Sequence, residues 1–97
     1  MASKETEEIL DRLAGIRRRV DEFSDQWAAD HDAATVIRGL DELSASSGAY
    51  PSIEALLFGA ARLIERGDPP GQRLEKLSDH LHGYTVGWED AAEAGAP

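Results

Sequence analysis

From Ile9 the large apolar residues of this chain recur at Leu13, Ile16, Val20, Phe23 and Trp27, in steps of 4, 3, 4, 3 and 4. No other feature restricts the fold so strongly. A strand repeats on a period of two. Residues spaced by three and four share one stripe only on an α-helix, and a stripe this long packs lengthwise on another helix. Leu10 widens the stripe near its start. Glu5, Glu7 and Glu8 occupy the first turns, where carboxylates favour the positive end of the helix dipole, and Glu8 stands four residues before Arg12 in the favourable order. Gly15 costs about 1 kcal/mol relative to alanine in a helix interior, which a pattern of this strength tolerates. The spacing predicts a helix over residues 3–30. At ~1.5 Å per residue it would be roughly 40 Å long, more than the diameter of a compact domain of this size.

Three further helices follow from the punctuation. Asp30-His31-Asp32 breaks the seam, and one of the aspartates caps a second helix over 33–46, with Val36, Ile37, Leu40 and Leu43 on one face. Ser46-Ser47-Gly48 ends it. Tyr50-Pro51-Ser52 restarts the chain, with Ser52 as the expected cap of a third helix over 52–66. That helix is apolar on nearly every side, which predicts a place at the centre of the fold. Gly67-Asp68-Pro69-Pro70-Gly71 is the next break: Gly67 stops the third helix, Asp68 can cap and Pro69 suits a first helical position.

The last segment, 70–90, contains HLHGYTVGWED and can be read two ways. As a strand, Tyr84, Val86 and Trp88 alternate. As a helix, Leu74, Leu77, Leu81, Tyr84 and Trp88 fall at steps of 3, 4, 3 and 4, which accounts for more of the large residues. A lone strand would also lack a partner, so a fourth helix is the expectation. Gly83 and Gly87 lie on one side of it and could mark a close crossing. Residues 91–97 carry nothing large to bury and are expected to fray. The fold class is therefore all-α: a single four-helix, bundle-like domain with a long N-terminal helix.

Charge bounds the partners. Nineteen acids face ten bases, for a net charge of -9. Such a field disfavours direct contact with a nucleic-acid backbone. Arg17-Arg18-Arg19 does not reverse this, because successive helical residues point about 100° apart and Asp21, Glu22 and Asp25 lie close by. There is no cysteine, so thiolate metal sites and cysteine catalysis are excluded. No apolar run has the length of a signal peptide or a bilayer span, which points to a cytoplasmic protein without a membrane partner.

Candidate chemistry is sparse. Glu75, Asp79 and His82 share one helical face, the way bundle metal sites are built, but such sites draw further ligands from facing helices and the first helix has no histidine. A solvated polar face explains the three better, and it explains His31. No metal and no cofactor is assigned. The serines around residues 44–52 serve turns and caps, no glycine-flanked nucleophile occurs, and GDPPGQR lacks the spacing and lysine of a phosphate loop, so no catalytic residue is assigned.

Three functional expectations remain. The first is a non-enzymatic adaptor or regulator acting as a homodimer. Its interface would be the seam Ile9, Leu13, Ile16, Val20, Phe23 and Trp27, part of which a single copy would leave bare, with Tyr84 and Trp88 as further anchors. The second is an acidic inhibitor of a nucleic-acid-binding machine, of the phage anti-defence kind, that mimics DNA and meets a basic groove through Asp11, Asp21 and Asp25. The third is a bundle binding a metal or small molecule at Glu75, Asp79 and His82.

Overall fold

The computed structural model describes residues 4–46 and 50–94. They form α1 (Lys4–Asp30), α2 (Ala33–Ser46), α3 (Pro51–Glu65) and α4 (Pro70–Ala94). The all-α expectation holds, and 80–90 is helical throughout. Ser3, Ser47 and Gly48 and the last three positions of the expected tail lie outside the described residues. α4 runs four residues past Asp90.

Each boundary has a local cause. α1 closes with His31 N–H donating to the Trp27 carbonyl, at 2.9 Å, and with His31 at φ 52°, the left-handed conformation that ends helices. Of the two aspartates beside it, Asp32 is the cap. Its carboxylate accepts from the Thr35 N–H (3.3 Å) and the Thr35 hydroxyl (2.7 Å). These bonds hold the Asp32 carboxyl below the ordinary carboxylate value. α3 begins one residue earlier than expected. Tyr50 is the cap position, Pro51 opens the helix, and the Tyr50 carbonyl accepts from Ile53 and Glu54, so Ser52 sits inside the first turn and does not cap. Gly67 ends α3 at φ 108° in a Schellman turn: its N–H reaches the Ile64 carbonyl and the Asp68 N–H reaches Leu63. Asp68 does not cap α4 either. It is taken by Arg73, whose guanidinium lies 2.5 Å from it.

The packing follows from two matched lengths. α1 has 27 residues and α4 has 25, whereas α2 has 14 and α3 has 15. Each seam is best satisfied by a partner of its own length, so α1 packs chiefly on α4 and α2 chiefly on α3, with thinner α1–α2 and α3–α4 contacts. Trp27 lies against Gly71, which sets the end of α1 beside the start of α4 and makes the pair antiparallel. Ser44 donates to the Glu54 carbonyl at 2.9 Å, tying the end of α2 to the start of α3. The core is Leu13, Ile16, Val20 and Phe23 from α1, Val36 and Leu40 from α2, Ile53, Leu57, Ala60, Ala61 and Ile64 from α3, and Leu74, Leu77 and Leu81 from α4.

Two expectations are corrected here. α3 is not encircled: it packs on two neighbours, and Phe58 on its outer side is 51% exposed, its ring covered on one face by the Arg62 guanidinium at 4.5 Å. A ring of four helices has no central member, so the surplus apolar surface of α3 stays on the flank. The middle of the α1 seam is not left over for a second copy. Leu13, Ile16, Val20 and Phe23 are buried by the same chain, and Ile9 and Trp27 are partly buried against that core. Against the short helices the seam would be unmatched, whereas its partner is α4.

Candidate docking surface

The unequal helix lengths leave one end of the molecule incomplete. α1 and α4 each run about 40 Å, while α2 and α3 run about 20 Å, and the molecule measures 48 × 21 × 18 Å. The Arg12 guanidinium lies 5.7 Å from the Tyr50 ring centre, so the start of α3 reaches only the level of Arg12. Beyond it, α1 and α4 continue as a two-helix prong among the described residues.

This explains what happens to the α4 seam. Leu74, Leu77 and Leu81 lie within the four-helix section and are buried. Tyr84 and Trp88 continue the same seam into the prong, and each is 40% exposed. Thr85 and Ala92 are half-buried, and the Thr85 hydroxyl donates to the Leu81 carbonyl at 2.9 Å. An open trough of about 760 Å³ lies along α4 between Asp79 and Ala91, lined by His80, Gly83, Tyr84, Gly87 and Trp88. Gly83 and Gly87 form its smooth floor. A Cβ added at either would meet nothing within 4 Å, so the close crossing suggested by their spacing is not used inside this chain. His80 also lines a smaller cleft of about 160 Å³ between α3 and α4, with Leu56, Gly59 and Arg73, so trough and cleft adjoin.

The sequence-derived site residues separate accordingly. Tyr84 and Trp88 stand together on an open face. The six α1 seam residues face the chain's own interior. Asp11, Asp21 and Asp25 are exposed, but the exposed Arg18 falls on the same helical face between Asp11 and Asp25. Glu75, Asp79 and His82 are exposed, and among the described residues no three His, Asp or Glu side chains gather as metal ligands. His31 is committed to the end of α1, its ring 4.9 Å from that of Trp27. The His80 Nδ1 lies 3.1 Å from the Lys76 carbonyl oxygen.

Elsewhere the polar contacts are structural. Arg62 bridges α3 to Asp41 of α2 at 2.5 Å, and Arg19 pairs with Glu22 beside the Phe23 ring. Among the described residues, no helix is long and apolar enough to cross a membrane. Searches against protein-family models, curated proteins and solved structures give no match to this chain.

Proposed function

We propose that this chain is a small acidic, non-enzymatic protein-interaction module whose docking surface is the open end of α4. One observation carries the reading: Tyr84 and Trp88 extend a buried seam past the point where the bundle stops covering it. Aromatic residues of this kind anchor protein interfaces, because each buries a large area and keeps one polar atom for a hydrogen bond. Continuing α4 into the prong gives the fold no further four-helix packing, so its aromatic face is available to a second chain.

The homodimer expected from the α1 seam moves, on this reading, to α4. A copy of the chain remains one candidate occupant, and another protein the other. The acidic-inhibitor reading keeps one specific support, since carboxylates flank the same prong: Glu5, Glu7 and Glu8 on α1, and Glu89, Asp90 and Glu93 on α4.

The test is retention of a protein partner from an extract of the cells that naturally make this chain, with wild type and the Tyr84→Ser/Trp88→Ser double variant as baits. The reading expects a complex of fixed stoichiometry with wild type that is lost with the double variant, while both baits melt at similar temperatures. Equal retention by both baits, or retention by neither together with monomeric behaviour at high concentration, would contradict it.

A further inference from the structure

We infer that the last turns of α4, from Gly83 to Ala94, are a strap that unfolds and recloses as a unit while the four-helix section stays folded. The inference does not depend on what Tyr84 and Trp88 bind. Packing, helix propensity and charge each set this segment apart.

Packing comes first. Among the described residues, every buried hydrophobic side chain lies between Leu13 and Leu81. From His82 to Glu93 nothing is buried, and only Thr85 and Ala92 are half-buried. A segment of this length is marginal as a helix in water without tertiary packing. The Thr85 hydroxyl bonds within its own helix, to Leu81, and that bond does not tie the segment to α1. Trp27 of α1 lies against Gly71 of α4, and continuing this antiparallel register sets the segment over the turns of α1 that carry Ile9 and Leu10.

Propensity points the same way. Gly83, Thr85, Val86 and Gly87 fall in one short stretch. Each glycine disfavours a helix about 5-fold relative to alanine, and the β-branched pair between them adds to this. A Cβ added at either glycine would meet nothing within 4 Å, so no close packing compensates for the missing side chains.

Charge decides which helix moves. Glu89, Asp90 and Glu93 stand in the last two turns of α4, and its last turn has no base. Carboxylates there oppose the negative end of the helix dipole. At the same end of the molecule α1 is built the other way, with Glu5 and Glu7 in its first turn and no glycine before Gly15. The segment that opens is therefore in α4. Leu74, Leu77 and Leu81 are buried and hold the rest of that helix, which puts the hinge at Gly83. Opening bares the Ile9 end of the α1 seam and dissolves the face that carries Tyr84 and Trp88, so anything seated on those two residues must hold the strap closed.

Native-state hydrogen exchange of the full chain, read residue by residue by NMR, tests this. One variant is Gly83→Ala/Gly87→Ala, which strengthens the segment without crowding it. The other is Ile64→Val, a mild core change near the opposite end of the bundle.

In wild type, the amides of residues 87–94 should share one opening constant, about 100-fold or more above that of the core amides in α1 and α3. Ile64→Val should speed the core amides about 3–10-fold and leave the segment unchanged. The double alanine variant should slow exchange in the segment roughly 10–30-fold. Segment amides that shift together with the core in Ile64→Val would make the molecule one cooperative unit and overturn the inference. Protection that declines steadily toward residue 94, which is end fraying, overturns it too, and so does exchange that the two alanines leave unchanged. None of these results bears on whether Tyr84 and Trp88 dock a partner, which the retention experiment decides separately.

Discussion

The ring of Phe23 on α1 packs directly onto Gly39 of α2: a Cβ placed on Gly39 would stand 2.6 Å from Phe23 Cε1. Phe23 is 2% exposed, so the ring has no free space into which to retreat. On helix propensity alone, Gly39→Ala would gain about 1 kcal/mol. Overpacking of a filled core costs about 1–3 kcal/mol, and here it should win. Urea unfolding of Gly39→Ala is expected to show a net loss of up to about 2 kcal/mol. Phe23→Ala, which leaves a cavity, should lose about 3–5 kcal/mol.

Gly15 predicts the opposite sign. It also lies inside a helix, but nothing is within 4 Å of a Cβ built there. Gly15→Ala should stabilise the protein by about 0.5–1 kcal/mol, seen as a higher urea midpoint with an unchanged slope. A loss of stability would mean that α1 is closely covered at this point, in disagreement with the packing described.

The contrast between these glycines marks what the sequence could and could not reveal. Helical periodicity located four helices to within a residue or so at most ends, because spacing and caps are properties of one segment at a time. It could not say which helix each seam would meet. α1 was expected to leave part of its stripe bare because it was weighed against α3, and the matching length of α4 decided otherwise. The Gly83/Gly87 spacing suggested a close crossing that this chain does not make, while the tight approach at Gly39 left no trace in the sequence. A glycine records that space is available, not what fills it. Tyr84 and Trp88 were legible as anchors, since they extend a seam. Their exposure depends on where α3 begins, which only the assembled bundle fixes.

Asp32 makes stability depend on acid. Its folded-state value is depressed, first by the Thr35 hydroxyl and then by backbone N–H groups. A depressed carboxyl contributes stability that is complete above its unfolded value and is lost as pH falls through the folded one. Asp32→Ala should therefore melt below wild type at pH 7. The gap should hold down to about pH 5 and close as pH drops below the ordinary value of 3.8. Thermal melts of both proteins across that range provide the check. A gap that widens in acid would show that Asp32 does not act as an ionised cap.

The account stands or falls on the state of Trp88 in the free protein, and fluorescence of Trp27→Phe, which leaves Trp88 as the sole tryptophan, reads it directly. The dilute protein should emit at the long wavelength of a hydrated indole and be readily quenched by acrylamide. A Trp88 already blue-shifted and shielded at every protein concentration would contradict the claim that the end of α4 is an open docking face.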